Sequence, residues 1–340
     1  MNLHGNVKTF EEEPGFNSGS ETTCLEDNVN DLMKRMKSQR YHLIGNHSAL
    51  KRCRWLYNSL VHNRPCYKEK FYGVKSHRCI QMTPTVFNCT LRCLFCWRIQ
   101  SGDLTFYWDE TDFYKRDDPE EILSGCLKAQ MRLLSGYKAN PKVAAQKLEE
   151  AKSPNQVAIS LSGEPTLYPR LGELLKLFHK NGFTTFLVSN GTFPEALSTL
   201  GEEPTQLYIS SCAPDKKTFN SLCRPLIKNA WLKQMETLDL LQSFRCPTVM
   251  RMTLVRNHNL RHPEKYAKLV EKANPTYLEP KAYMHVGFSR LRLGYANTPS
   301  YEEVSDFAVS LSNETGFNVL NESKESRVFL LSRLTKPRKL

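Results

Sequence analysis

Nine residues constrain this chain more than any others: Cys89-Thr90-Leu91-Arg92-Cys93-Leu94-Phe95-Cys96-Trp97. They set three thiols at a spacing of C-x3-C-x2-C, directly after an apolar, strand-like run from Ile80 to Phe87. With 11 cysteines in 340 residues, chance alone gives this spacing about 0.01 times if positions are independent. Three thiolates on one short loop hold three irons of a [4Fe–4S] cluster and leave the fourth iron without a protein ligand. An open iron is available to a small chelating molecule, as the open position of a catalytic zinc site is. Two plainer readings stand beside this one, a zinc site and buried structural thiols. Zinc would ordinarily take a fourth Cys or His at short spacing, and none follows here.

Composition limits the other classes. The chain is 40% hydrophobic and 24% charged, enough apolar residues for a core and the charge of an ordinary soluble protein. It contains no run of 18 apolar residues, so no membrane-spanning helix is expected. Met1 to Ser20 lack the basic and apolar segments of a secretory signal, which points to the cytoplasm. An odd cysteine count in that reducing compartment favours metal over a disulfide framework. The net charge of +12 suggests an anionic partner, most simply a nucleic acid.

Residues 1–28, polar and without periodicity, read as a flexible tail. Residues 29–79 read as an N-terminal extension, with a helical pattern from Asp31 that fades between Tyr41 and Gly45. Within it Cys53, Cys66 and Cys79 recur at C-x12-C-x12-C, which reads as a second three-thiol cluster site or as ordinary buried cysteines. Residues 80–340 alternate strand-like with helical runs. Val157–Leu161, Thr184–Val188, Gln206–Ile209, Val249–Val255 and Thr276–Tyr283 join Ile80–Phe87 as strands, and Val328–Leu331 is the last. Helices are expected at 119–134, 138–153, 171–179, 194–200, 231–242, 263–273 and 301–313. Such alternation implies an α/β fold with a parallel sheet or barrel.

The two cysteine triplets, the joining run Ser76-His77-Arg78-Cys79-Ile80-Gln81-Met82-Thr83-Pro84, and Cys93-Leu94-Phe95-Cys96-Trp97-Arg98 resemble the tRNA 4-demethylwyosine synthases of the radical S-adenosylmethionine (SAM) superfamily. So do Ser160 to Thr166, Ser189 to Thr192, Lys281 to Gly287 and Ser326 to Val328. The resemblance spans Tyr41 to Arg333, in the single-domain form without a flavodoxin-like segment. It implies a partial (β/α)6 barrel of the radical SAM type, preceded by an extension with a second cluster. It also implies two [4Fe–4S] clusters, on Cys89, Cys93 and Cys96 and on Cys53, Cys66 and Cys79. The first would reduce SAM to a 5′-deoxyadenosyl radical, and the second would hold pyruvate. The implied reaction takes hydrogen from the N1-methyl group of N1-methylguanosine-37 of a tRNA. The resulting methylene radical adds to the pyruvate carbonyl carbon, the carboxyl carbon is lost, and a tricyclic base closes.

Strand ends carry function in β/α barrels. Gly163, Glu164, Ser189, Asn190 and Ser210 fall at such ends and are candidate SAM contacts, or plain turns and caps. Lys68 matches the family's imine-forming lysine, with a solvated surface lysine as the alternative. Strand alternation places Tyr277, Glu279, Lys281 and Tyr283 on one face, where Glu279 and Lys281 form an ion pair or line the substrate cavity, and it sets Arg251 and Thr253 on one face in the same way. Lys51 to Arg54, Arg290 with Arg292, and Lys336 to Lys339 are basic clusters able to meet RNA phosphates. The expected partners are the tRNA anticodon loop, pyruvate and an external electron donor such as a flavodoxin or ferredoxin, acting on a monomer. A radical SAM enzyme on another RNA or protein substrate, and a zinc-bearing RNA-binding protein, are the alternatives.

Overall fold

A computed structural model describes residues 31–111 and 116–340. The expected tail over 1–28 lies outside the described residues. The first described elements are a helix α1 (residues 31–38) and the hairpin β1 (Tyr41–Ile44) and β2 (Ser48–Lys51). The fading helical pattern thus gives way to a strand. Gly45, at φ +54, turns the chain between the two strands. Two short helices follow, α2 (Arg54–His62) and α3 (Tyr67–Tyr72), and then β3 (Cys79–Thr83).

From β3 onward strands and helices alternate as the sequence pattern predicts. The helices α4 (Pro119–Ser135) and α5 (Ala145–Lys152) lead to β4 (Gln156–Ile159). Next come α6 (Leu171–Lys180), β5 (Thr184–Ser189), α7 (Pro194–Ser198) and β6 (Gln206–Ser210). Two helices, α8 (Lys216–Cys223) and α9 (Ala230–Leu240), precede β7 (Thr248–Leu254). The last turn of the pattern is α10 (Pro263–Ala273), β8 (Tyr277–Ala282) and α11 (Tyr301–Thr315). An antiparallel pair, β9 (Asn318–Ser323) and β10 (Val328–Ser332), closes the chain. The expected helix over 138–153 is only half realised, because Pro141 lacks a backbone donor and disfavours helix at Asn140. The Asn140 side chain instead accepts from the Lys142 amide at 3.0 Å.

The ten strands form one sheet in the order β1-β2-β3-β4-β5-β6-β7-β8-β10-β9. Strands β3 to β8 are mutually parallel, and antiparallel pairs extend both edges. This is the expected (β/α)6 unit. Alternation sorts each strand between two cores. Ile80, Met82, Ile159, Leu187, Ile209, Met252 and Leu278 face outward and pack with helical residues such as Leu174, Phe178, Leu238 and Val270. Ala158, Phe186, Tyr208, Val249 and Tyr277 face inward, where they meet Tyr67, Phe71 and Tyr72 of α3. The N-terminal region therefore supplies a helix to the concave side of the sheet as well as two strands to its edge. β9 was not visible in the sequence because it is a polar edge strand with no apolar alternation. Among the described residues no helix is long and apolar enough to cross a membrane.

Close packing of α6 against the loop after α7 depends on Gly172. A Cβ there would stand 1.8 Å from the Leu200 carbonyl oxygen, a backbone atom that cannot move aside. Gly172→Ala should cost about 1–3 kcal/mol despite the better helix propensity of alanine. The loss should be read as a lower midpoint in thermal unfolding.

Candidate active site inside the barrel

The loop after β3 carries Cys89, Cys93 and Cys96, and its shape is held by buried ionic contacts. Arg98 is 2% exposed. It pairs with Glu110 and donates to the carbonyls of Ile99 and Leu91, at 3.0 Å each. Glu110 also accepts from Arg92 Nε at 2.9 Å, and the Glu110 carbonyl accepts from the Cys89 amide at 2.7 Å. Arg292 reaches in from beyond β8 and donates to the carbonyls of Cys96 and Leu94 while pairing with Asp103. The loop's carbonyls are thus consumed by cations, which leaves its thiols free to ligate. Burial pushes the Cys89 thiol up to about 12, the state of a thiol that still keeps its proton. Soft, all-sulfur donors on one short loop, with no carboxylate among them, suit an iron–sulfur cluster.

Beside this loop the ends of β4 and β5 are knotted together by one carboxylate. Glu164, 1% exposed, accepts from Thr166 N at 3.1 Å and Oγ1 at 2.7 Å, from Ser189 Oγ at 2.8 Å and from Asn190 N at 2.6 Å. Asn190 Nδ2 continues the knot to Thr90 Oγ1 at 2.9 Å and lies 3.8 Å from Cys89 Sγ. Gly163 adopts φ +73, and a Cβ there would meet the Thr85 carbonyl at 1.8 Å. Gln234 Nε2 binds the carbonyls of Asn190 (2.7 Å) and Ser210 (3.2 Å), while its buried Oε1 has no protein partner. An acceptor without a partner at the barrel rim, next to a thiol triad, suits a ligand rich in donors such as SAM. Gln234 was missed from sequence, where it reads as one more polar helix position. The structure brings all five candidate rim residues to one end of the barrel.

The other triad gathers at the opposite end of the same strand. Cys79 opens β3, whose five residues rise roughly 13 Å before the Cys89 loop begins. Cys53 and Cys66 occupy the N-cap positions of α2 and α3. Neither thiol makes a side-chain cap hydrogen bond. Burial, and then the neighbouring Cys53, push Cys66 up to about 11 and Cys79 up to about 12. The three thiols lie near enough to act on one another's charge, but among the described residues no three Cys, His, Asp or Glu side chains are arranged to hold a metal ion.

Lys68 lies inside the barrel, which removes the solvated-surface reading. Its Nζ sits 3.8 Å from the centroid of Phe186 and 4.6 Å from that of Tyr208. Burial and the nearby Arg251 lower its pKa to about 8. Lys281 is displaced downward by the same two causes and lies 4.6 Å over the Tyr67 ring. Between these lysines stands Glu279, fully buried. It pairs with Arg251 at 2.6 Å and accepts from Tyr72 at 2.8 Å, Tyr208 at 3.2 Å and Tyr67 at 3.3 Å. Burial raises its carboxyl, but Arg251, Lys68 and the hydrogen bonds outweigh that and hold it below the usual carboxylate range. Glu279 thus pairs with Arg251, not with Lys281 as its shared strand face suggested.

The basic clusters divide. Arg292 is committed to the cluster loop and Arg52 to the Tyr137 hydroxyl. Lys51 lies between the rings of Tyr41 (4.2 Å) and Trp97 (4.8 Å). These three are spent on the protein itself, and Lys339 donates to the Phe71 carbonyl, whereas Arg54, Arg290 and Lys336 remain exposed. Ser289, beside Arg290, is buried and bonded to the Tyr283 hydroxyl at 2.9 Å. His285 packs edge-on to Tyr283 and Tyr295.

A barrel of six parallel strands with a three-thiol loop at its rim defines a radical SAM fold, and residues 83–270 match the radical SAM superfamily model. Residues 272–333 match the model for wyosine base formation. The chain is 49% identical over 307 residues to the S-adenosyl-L-methionine-dependent tRNA 4-demethylwyosine synthase of Pyrococcus abyssi, covering 89% of each chain. It is 40% identical to the Methanocaldococcus jannaschii enzyme of that name, covering 88% of this chain and 95% of the other. A solved structure described as TYW1 with a lysine–pyruvate adduct bound superposes with a TM-score of 0.80 at 38% identity, covering 91% of this chain and 97% of that one. The chain belongs to the S-adenosyl-L-methionine-dependent tRNA 4-demethylwyosine synthase family.

Because the buried Glu279 neutralises Arg251, 15% exposed, Glu279→Gln should destabilise the fold by about 3 kcal/mol, leaving a largely buried cation without its carboxylate. Removing both charges in Glu279→Gln/Arg251→Gln should recover at least half of that loss. Chemical unfolding of the three variants against wild type measures both numbers.

Proposed function

We propose that this chain condenses N1-methylguanosine-37 of a tRNA with pyruvate to give 4-demethylwyosine. The observation that carries this reading is the placement of Lys68. A lysine amine of lowered pKa, half-buried over two aromatic rings, stands in the barrel interior beside the Cys53, Cys66 and Cys79 thiols. A neutral amine in a dry pocket is the group that captures a ketone as an imine. The lysine–pyruvate adduct of the similar TYW1 structure supports that role here.

A cluster on Cys89, Cys93 and Cys96, with SAM on its open iron, supplies a 5′-deoxyadenosyl radical when both are bound. Gly163, Glu164, Ser189, Asn190 and Ser210 shape the rim that receives SAM. The Glu164 carboxylate is already filled by four protein donors, so it acts by fixing the strand ends. Cys53, Cys66 and Cys79 would hold a second [4Fe–4S] cluster, which would supply a binding position for pyruvate beside Lys68. Such fixation makes the encounter effectively unimolecular, worth several kcal/mol of barrier. Glu279, Arg251 and the three tyrosines hold this wall rigid and exclude water. The target base must leave the anticodon-loop stack to enter the barrel. A flavodoxin or ferredoxin of the cytoplasm supplies the electron. A radical SAM enzyme on another substrate remains the second reading, favoured only if the second cluster is absent.

Reconstituted wild type should hold about eight irons and Cys53→Ala about four, by the ligation rule of three thiolates per cluster. Equal content near four in both proteins would remove the second cluster. Borohydride should trap labelled pyruvate on wild type, and Lys68→Ala should lose that label. Retained label in Lys68→Ala would transfer the imine to another lysine.

A further inference from the structure

The Cys223 thiol has no part in the reading above, yet the fold sets it directly against a cluster ligand. The segments 90–94 and 222–226 run antiparallel and pair through backbone hydrogen bonds. The Leu94 amide donates to the Leu222 carbonyl at 2.9 Å, Arg92 to Arg224 at 3.1 Å, and Leu226 to Thr90 at 2.8 Å. Leu91 and Pro225 form an isolated bridge within the same pairing. This register places Cys93 directly opposite Cys223, and the two side chains pack in one cluster. Cys223 is the last residue of α8, and Arg224 after it turns the chain in the left-handed region at φ +49. The position is therefore fixed from both sides.

The surroundings are apolar. Cys223 is 3% exposed. It shares a cluster with Leu91, Ala213, Phe219 and Ala230, with Phe95 and Trp231 packed against it. The other thiol in that cluster, Cys212, accepts instead from the Thr253 amide at 3.5 Å. A thiolate bound to iron has no proton to give and is only an acceptor. When Cys93 is ligated, only Cys223 of this facing pair keeps an S–H to donate. Hydrogen bonds to cluster sulfur favour the reduced, more negatively charged state, and their strength grows as solvent is excluded.

We propose that Cys223 donates a hydrogen bond to the Cys93 sulfur of the radical SAM cluster and thereby raises the reduction potential of that cluster. The inference rests on the assignment of Cys89, Cys93 and Cys96 as its ligands, and it is independent of which base or ketone the enzyme uses. Cys223 is a positioning residue here: it touches a ligand of the cluster and neither SAM nor substrate. Its effect is to ease the entry of the single electron from the external donor.

The test is an EPR-monitored redox titration of the reconstituted full chain, following the reduced-cluster signal that changes on addition of SAM. Cys223→Ala removes the donor, Cys223→Val removes it while filling the space, and Cys223→Ser keeps a donor. In Ala and Val the reduced-to-oxidised ratio at a fixed potential should fall about three- to tenfold. That is a shift of roughly 30–60 mV toward more negative values at 59 mV per decade for one electron. Cys223→Ser should stay within about half of that shift, with iron content equal to wild type in all three. No shift in Ala and Val, or an equal shift in all three variants, would overturn the proposal. Formation of 4-demethylwyosine is read separately, so a failed assignment of substrate leaves the potential measurement intact.

Discussion

A parallel strand cannot be followed by its neighbour without a return across the sheet, and this single constraint organises the molecule. Strands β3 to β8 all point the same way, so the loops that follow them open on one rim. Residues far apart in sequence meet there. Cys89 leaves β3, Glu164 follows β4, Asn190 follows β5 and Gln234 reaches across from α9. The Glu164 carboxylate then converts proximity into fixed geometry, because two of its donors belong to its own loop and two to the end of β5. A cluster loop resting on such a rim is held by hydrogen bonds to backbone as well as to side chains.

The opposite end of the barrel solves a different problem. A sheet of this curvature leaves a concave face that must be filled or hydrated, and α3 fills its lower part with Tyr67, Phe71 and Tyr72. What is buried there includes charge, which is costly unless paired. Glu279 and Arg251 meet that cost together, and three tyrosine hydroxyls occupy the carboxylate lone pairs that the guanidinium leaves open. Lys68 and Lys281 receive no carboxylate of their own. They rest over aromatic faces, which stabilise a cation less than a carboxylate does. Burial and then the nearby Arg251 lower both amines, Lys68 to about 8, toward the neutral form a carbonyl-capturing lysine needs.

Much of this was legible in the sequence, and the reasons differ by residue. The thiol spacing, the six strands and the rim residues were readable because spacing, alternation and the strand-end rule are local or nearly local signals. The shared face of Glu279 and Lys281 followed from strand parity alone. The tyrosines of the Glu279 site were not readable. Tyr67 and Tyr72 lie on a helix of six residues, too short for a periodicity, and their partner is more than 200 positions away. Arg292 read as an RNA contact because a cation's partner is invisible until the chain folds, and here that partner is the cluster loop. Asn140-Pro141 was readable and outweighed by the helical composition around it.

The regular C-x12-C-x12-C interval gains a physical meaning from the helices it spans. Ser, Thr, Asp or Asn ordinarily occupies an N-cap, where a side-chain oxygen satisfies free amides. Here Cys53 and Cys66 take both N-cap positions, with extended backbone and no conventional side-chain cap. Uncapped helix N-termini carry partial positive charge and favour an anion. The amides at these two helix starts therefore pull both thiols down, against the burial that raises them. The interval thus sets two sulfurs where the backbone itself favours their charged form.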